Sequence, residues 1–319
     1  MLEKEELSRT IPPTSLTMKE ALAIIDKLAP QSSCRYEWQK LRHLISTLLS
    51  GQLAVFSDLP AMPMFRGRIV RVKNPGSYTP YPSGTFLNNV SLIGPRSPED
   101  TDDYGRCHLP KSSVFYGAFN LDTVLAEIRP EIGDLVYVLR CEPVADSKFL
   151  SCTIGEIDHV RRYGRGSIMS EGSRGIQEIK RWLAQASTES DYVRIVTDAF
   201  LARYLSRPCS DVEDYRAVSA LAGVVLRHRV EYPGNVEALY YPSVAHAGGM
   251  NIAIPYDSYR SKVRPVSCGI LQVLNNFGYG VYKTRFINES ESIDSEGNIQ
   301  WKPGGRKVGI ELVDRQIEL

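Results

Sequence analysis

The sequence predicts an α+β protein, and two observations carry that prediction. Segments with apolar residues at helical spacing occur beside short runs of alternating or continuous apolar residues, which are typical of strands. Hydrophobic residues make up 43% of the 319 residues and charged residues 24%, a balance that allows a sizeable buried core. We expect three regions: an N-terminal helical extension over 1–58, a central domain over 59–265 and a C-terminal β-rich extension over 266–319.

Two helices are predicted in the first region. Thr17 and Glu20 form a capping box ahead of apolar residues at helical spacing, and this helix ends near Pro30. The second helix runs over about 37–49, with its leucines on one face.

The central domain is expected to begin with a strand over 64–73 and to continue with strands over 113–119 and 134–144. Asn120 caps a short helix between the last two strands, and this helix must end before Pro130. The long segment over 75–104 is rich in Gly, Pro, Ser and Asp. It is either a lid or partner-docking segment beside the site or a disordered insert.

Later segments repeat the same signals. Ser210 and Glu213 predict a capping box at the start of a helix. Further helices are predicted over 174–186 and 191–205, and further strands over 236–243, 250–256 and within 277–319, the last with a turn at 294–298.

Composition and spacing argue against several function classes. There are 38 basic and 37 acidic residues, so the net charge of +1 gives no indication of a nucleic-acid partner. The six cysteines lack C-x-x-C spacing and the five histidines lack ligand spacing, so no metal site is expected. Neither a membrane-spanning apolar run nor a secretory signal is found in the sequence, and we expect a cytoplasmic protein without a membrane partner.

Three segments together resemble the RES-domain family, which is named for an Arg, a Glu and a Ser. PMFRGRI (63–69) is similar to the family's opening strand with its arginine. YGRCHLPKSSVFYGAFNLDTVLAEIRPEIGD (104–134) resembles its Gly-Arg turn, Tyr strand and Ala-x-Glu helix, and LYYPSVAHAGGMNIAIPYD (239–257) resembles its Tyr-Pro-Ser strand and Gly-rich turn. The paired helices around Arg-Pro in 198–228 fit the same pattern, so the resemblance spans roughly 60 to 265.

The resemblance implies a fold similar to ADP-ribosyltransferases, with a cleft that binds NAD as a substrate rather than as a cofactor. Members of this family act as toxins that consume NAD and are paired with an antitoxin. The implied activity is that of an NAD glycohydrolase, which cleaves the nicotinamide–ribose bond. The alternatives are transfer of ADP-ribose to a protein or nucleic acid, transfer to phosphate, and a non-catalytic nucleotide-binding module. The sequence leaves the oligomeric state undecided, and a homodimer is possible because the flanking strands offer edges for pairing.

The resemblance assigns catalytic roles to Arg106, Tyr116, Glu127 and Ser243. Cleavage passes through an oxocarbenium-like transition state, so the protein must clamp the pyrophosphate, fix the ribose and place negative charge near the developing cation. A guanidinium forms paired hydrogen bonds with phosphate, which suits Arg106. Glu127 borders the apolar stripe of its helix and would supply the negative charge.

Tyr116 and Ser243 each have a structural alternative. The Tyr116 ring would stack on a base or its hydroxyl would bind the ribose, and the alternative is a place in the core. Ser243 would donate to a ribose hydroxyl or to the pyrophosphate, and the alternative is a cap on the backbone of its turn.

Four more residues are expected to bind the substrate. Arg66 and Arg68 point to the same face of the first strand, so the sequence leaves open which of them shares the phosphate clamp. His108 stands where the family usually has Asn, and Asn251 is expected to orient the ribose or its loop. Phosphate as the acceptor would need a further cationic pocket, for which Arg129 and His108 are the candidates.

Overall fold

The computed structural model describes residues 14–29, 33, 35–49, 56–58, 62–70, 86–145, 147, 149–226, 236–303 and 311–312. The expectations for 71–85 and for most of the segment after 303 lie outside these residues. Within them the chain is mixed α+β, as the sequence predicts. No helix in the described part of the chain has the length and apolarity needed to cross a bilayer.

Six of the helices begin and end close to their predicted positions. They are α1 (Met18–Leu28), α2 (Trp38–Leu49), α3 (Leu121–Ile128), α4 (Glu156–Tyr163), α5 (Arg174–Gln185), α6 (Glu189–Leu205), α7 (Val212–Val225) and α8 (Tyr256–Lys262). The predicted capping box of Thr17 and Glu20 is present at α1, and the Asn120 side chain accepts a hydrogen bond from the Thr123 amide at the start of α3.

The strands join in one mixed sheet in the order β1-β5-β6-β7-β3-β2-β4-β8-β9-β10, with β11 paired to β9. They are β1 (Phe56–Asp58), β2 (Met64–Val70), β3 (Val114–Ala118), β4 (Leu135–Pro143), β5 (Leu150–Thr153), β6 (Ala238–Pro242), β7 (Met250–Pro255), β8 (Val263–Asn276), β9 (Tyr282–Ile293), β10 (Ile299–Trp301) and β11 (Glu311–Leu312). β5 and β6 run parallel. The expected boundary between residues 265 and 266 falls inside β8, which continues the sheet beside β4.

Two neighbouring strands at the centre of the sheet separate after one pair of residues. β2 pairs with β4 along its whole length, and β3 pairs along its whole length with β7. Between β2 and β3, however, the register contains the pair Phe65 and Ala118 alone. The sheet therefore opens between β2 and β3, and α3 follows directly from the end of β3.

The N-terminal helices share a core with the central domain. Leu41, Leu44, Ile45 and Leu48 of α2 are buried in one hydrophobic cluster with Val218, Leu221, Ala222 and Val225 of α7 and with residues of the sheet. A second cluster fills the other side of the sheet, around Phe115, Tyr137 and Ile270. Hydrophobic clusters thus cover both faces of the sheet, which agrees with the continuous apolar runs of the central strands.

One expectation about the helices needs correction. The cap of α7 is Asp211, whose side chain accepts a hydrogen bond from the Asp214 amide at 2.8 Å, so the predicted capping box of Ser210 and Glu213 is wrong. The carboxylate of Asp211 takes the place of the Ser210 hydroxyl, and the helix begins one residue later than predicted.

Five of the elements were not predicted: β1, β5, β8, α4 and α8. Four of them have eight residues or fewer, which is too short to show a clear period. β8 carries Pro265 near its start, and a proline weakens the sequence pattern of a strand.

The described part of the 75–104 segment is ordered and is attached to the C-terminal strands. The Val90 amide donates to the Gly297 carbonyl at 2.9 Å, and the Ile299 amide donates to the Asn88 carbonyl at 2.8 Å. The Trp301 indole also donates to the Leu87 carbonyl at 3.0 Å. These bonds fix the segment around residues 87–93 against the turn between β9 and β10.

Candidate functional site

The opening between β2 and β3 forms a pocket of about 430 Å³. Its walls come from β2, β3, β6, β7, α3, α7 and the turn before β3. The lining residues are Phe65, Arg66, Gly67, Tyr104, Gly105, Arg106, Tyr116, Gly117, Ala118, Val124, Glu127, Ile128, Tyr215, Tyr241 and Asn251. A volume of this size is in the range of small-molecule sites.

The pocket brings together residues that are far apart in the sequence. Of the predicted site residues, Arg66, Arg106, Tyr116, Glu127 and Asn251 line it. Ser243, His108 and Arg68 do not line it. Ser243 and His108 contact residues that do, whereas Arg68 lies further along β2, opposite Tyr137 of β4.

Glu127 is held on α3 with one carboxylate oxygen fully occupied. Its Oε1 accepts hydrogen bonds from the Ser243 hydroxyl at 2.7 Å, the Val244 amide at 3.1 Å and the Asn251 side-chain amide at 2.6 Å. Within the described residues, no hydrogen bond reaches Oε2. Because the donors fix the plane of the carboxylate, its second oxygen is available to a ligand in the pocket.

Ser243 has all of its hydrogen-bonding capacity in use. Its hydroxyl donates to Glu127 and accepts from the amides of Ala245 at 3.2 Å and His246 at 3.0 Å. The side chain therefore caps its own turn and orients the glutamate at the same time. With this geometry it acts through Glu127, and a direct bond from Ser243 to the substrate stays a prediction.

Asn251 connects the glutamate to the sheet. It is 5% exposed on β7, where its backbone pairs with Ala118 of β3 and Tyr241 of β6. A buried side-chain amide needs partners, and the carboxylate of Glu127 provides one. Asn251 thus fixes the glutamate relative to the β3 wall of the pocket.

Arg106 is anchored by the end of a helix. Its Nη1 donates to the carbonyl of Leu205, the last residue of α6, and to the carbonyl of Arg207 at 2.9 Å. The C-terminus of a helix favours a cation. Burial lowers the pKa of Arg106, but the charge interactions with its neighbours, Cys209 and Tyr241 first, outweigh burial and leave the pKa above its ordinary value. Nε and Nη2 form no hydrogen bond within the described residues.

Arg66 is a half-buried cation on the β2 wall of the pocket. Its Nε donates to the Ile93 carbonyl at 2.8 Å and its Nη1 to the Tyr116 carbonyl at 3.0 Å. Burial lowers the pKa of Arg66, although the group stays charged at neutral pH. In the part of the chain that the structure describes, neither Arg66 nor Arg106 forms an ion pair with a carboxylate. Two half-buried guanidinium groups without anionic partners favour an anionic ligand.

Tyr116 presents its ring to the pocket while its hydroxyl is occupied. The hydroxyl accepts a hydrogen bond from the Cys107 amide at 2.7 Å and lies 2.9 Å from Nδ1 of His108. Burial and the charges of Arg66 and Arg96 lower the pKa of His108, so its ring is neutral near pH 7. This contact and the bond from Cys107 occupy the hydroxyl, and the ring face of Tyr116 is what remains for a ligand.

Sequence reasoning missed the other aromatic residues of the wall. Phe65, Tyr104, Tyr215 and Tyr241 all line the pocket, and Tyr215 comes from the first turn of α7. No spacing signal identifies Tyr215, because only the tertiary fold brings α7 opposite β2 and β3. The proximity of Tyr104 to Arg106 in the chain was the one usable hint.

No metal site is apparent. Within the described residues, no group of three or more His, Cys, Asp or Glu side chains is arranged to hold a metal ion. Comparison with known proteins adds no identification, since no family model, curated protein or solved structure matches this chain.

Proposed function

We propose that the protein is an NAD glycohydrolase that cleaves the bond between nicotinamide and ribose. One observation carries the proposal: Arg106 and Glu127 line the same pocket, with Arg66 on a second wall. This arrangement suits a ligand that has a pyrophosphate at one end of the site and a developing cation at the other. The resemblance to the RES-domain family supports the same substrate.

In this mechanism the two arginines bind the pyrophosphate and hold the nicotinamide ribose beside Glu127. The glycosidic C–N bond breaks, its electron pair leaves with nicotinamide, and the ribose becomes an oxocarbenium ion. The carboxylate of Glu127 stabilises that cation through Oε2. Water then adds to the anomeric carbon and loses a proton, giving ADP-ribose, nicotinamide and one proton.

Other acceptors have less support. An ADP-ribosyltransferase would use the same pocket, with a protein or nucleic acid in place of water. A phosphate acceptor would need a further cation, but Arg129 is exposed at the end of α3 and does not line the pocket, and His108 is neutral and bonded to Tyr116. A cytoplasmic toxin role with an antitoxin partner belongs to the same proposal and depends on it.

The decisive experiment is a time course of NAD and nicotinamide by chromatography. We expect the wild type to release nicotinamide as NAD disappears, and Glu127→Gln to lower kcat by about 100-fold or more, because one pre-organised electrostatic group contributes roughly 3 kcal/mol. Glu291→Gln is a matched control, since Glu291 is exposed on β9.

The same time course separates the rival functions. Adding phosphate would reveal ADP-ribose phosphate if phosphate were the acceptor. Label from adenine-labelled NAD appearing on protein or nucleic acid would indicate transfer. Intact NAD after hours with micromolar wild-type protein would contradict the enzyme proposal and leave a nucleotide-binding module.

A further inference from the structure

The loop that orients Glu127 is attached to α3 at a second point. Residues 243–249 form a closed turn: the Ser243 amide donates to the Gly249 carbonyl at 2.8 Å, and the Gly249 amide donates to the His246 carbonyl at 2.9 Å. This turn supplies the Ser243 hydroxyl and the Val244 amide to Glu127. Its position therefore decides where two of the three donors to Oε1 lie.

The second attachment joins His246 to Thr123. Nδ1 of His246 lies 2.8 Å from the Thr123 hydroxyl, and Thr123 is fully buried in α3. Thr123 and Glu127 are four residues apart, so they occupy the same face of the helix on successive turns. The loop thus contacts α3 at two points, one turn apart, which fixes both its position and its tilt.

Gly249 permits this close approach. A Cβ atom at residue 249 would lie 2.5 Å from the Thr123 hydroxyl oxygen and 3.0 Å from Nδ1 of His246. The hairpin between β8 and β9 covers the loop from outside, since a Cβ atom on Gly280 would lie 3.1 Å from Ala126 and 3.8 Å from the Ala245 carbonyl. The contact between His246 and Thr123 is therefore part of a closely packed junction.

We infer that His246 is a positioning residue for Glu127, acting through its bond to Thr123. This inference rests on the proposed NAD glycohydrolase function. Losing the bond lets the loop tilt, so that Ser243 and Val244 no longer hold the carboxylate in one orientation. The arginine clamp lies on other elements, so binding of NAD is unaffected.

Matched substitutions test the bond from both sides. His246→Leu and Thr123→Val remove it, whereas His246→Asn and Thr123→Ser keep a polar atom at the same place. For the first pair we expect kcat to fall about tenfold, the size of one lost hydrogen bond, with KM for NAD within twofold of the wild type. The conservative pair should retain kcat within threefold, and the double variant His246→Leu/Thr123→Val should be no slower than either single variant.

Hydrogen exchange gives a second readout that does not need activity. The amides of Val244 and His246 should exchange faster in His246→Leu and Thr123→Val than in the wild type, and at the wild-type rate in the conservative variants. Wild-type kcat together with unchanged exchange in the folded His246→Leu and Thr123→Val proteins would overturn the inference. If the wild type consumed no NAD, the proposed function would fail, while the exchange data would still decide whether the bond holds the loop.

Discussion

At the scale of single residues, most polar atoms of the site side chains are already bonded to the protein, and this holds the side chains in one orientation. Oε1 of Glu127 accepts hydrogen bonds from three donors. The Tyr116 hydroxyl forms two polar contacts, and Nη1 of Arg106 donates to two carbonyl groups. In each of these side chains some polar atoms are bonded to the protein, and the remaining part of the side chain lines the pocket. Such pre-organisation lowers the reorganisation needed when a substrate binds.

Arg106→Lys tests the phosphate clamp. A lysine cannot bond to two helix-end carbonyls and to a phosphate with the geometry of a guanidinium fork. Because the clamp acts on the bound substrate and the transition state alike, we expect KM for NAD to rise about tenfold or more with a smaller change in kcat. Steady-state kinetics check this, with Arg181→Lys as the control, since Arg181 is exposed on α5. An unchanged KM would remove Arg106 from the clamp.

At the scale of secondary-structure elements, α3 explains why part of the site was predictable. Its cap at Asn120, its apolar stripe and its end before Pro130 are local signals, and the helix lies at Leu121–Ile128 as predicted. Ser243 was equally visible as a turn residue. Its bond to Glu127 was not, because that bond depends on how β6, β7 and α3 are assembled.

Gly67→Ala should disturb the packing of α3 against β2. A Cβ atom at residue 67 would lie 2.5 Å from Cγ1 of Val124 and 2.8 Å from Cδ1 of Ile128, so these side chains, or the helix that carries them and Glu127, must shift away from β2. We expect a loss of about 1–3 kcal/mol in the free energy of unfolding and a fall in NAD turnover. Denaturant unfolding measures the first effect. Gly172→Ala is the control, because a Cβ atom there meets nothing within 4 Å; equal stability of the two variants would contradict the packing argument.

The start of α4 gives a pH-dependent prediction. Asp198 of α6 accepts hydrogen bonds from the amides of Gly155 at 3.0 Å and Asp158 at 2.9 Å. Burial raises the pKa of Asp198 to about 7; these amide bonds oppose the shift, and the charges of Asp158 and Glu156 add to it. The group titrates near 4 in the unfolded chain. Between pH 4 and 7 the folded protein therefore holds a proton that the unfolded chain has released, and stability falls as the pH rises.

Asp198→Asn removes this titration. Relative to the variant, the wild type should lose about 2.6 kcal/mol of unfolding free energy between pH 5 and pH 8, because each pKa unit corresponds to roughly 1.4 kcal/mol. Titratable groups that both proteins share cancel in the difference. Unfolding by denaturant at the two pH values measures it, and a difference that does not change with pH would show that Asp198 is charged throughout.

At the scale of the whole molecule, the order of the strands creates the pocket. β2 and β3 are neighbours that separate after Phe65 and Ala118, and the two halves of the sheet continue outward from them. The sequence identified β2 and β3 but not this separation, since alternation of apolar residues indicates which face is buried and not which strand is the neighbour. Tyr215 was missed for the same reason, because only the tertiary fold brings α7 to the pocket.

A ligand that spans the separation should stabilise the whole fold. ADP-ribose carries the pyrophosphate and ribose of NAD but cannot be cleaved at the missing nicotinamide bond, so it reports binding alone. At about 100 times its Kd it should add roughly 2.7 kcal/mol to the free energy of unfolding and raise Tm by roughly 4 °C. Glu127→Gln should keep most of this shift, whereas Arg106→Lys should lose about half of it or more at the same concentration, because a tenfold weaker Kd lowers the added free energy to roughly 1.4 kcal/mol. Nicotinamide alone lacks the phosphates and should give little stabilisation. A full ADP-ribose shift in Arg106→Lys would mean that the ligand binds away from the opening between β2 and β3.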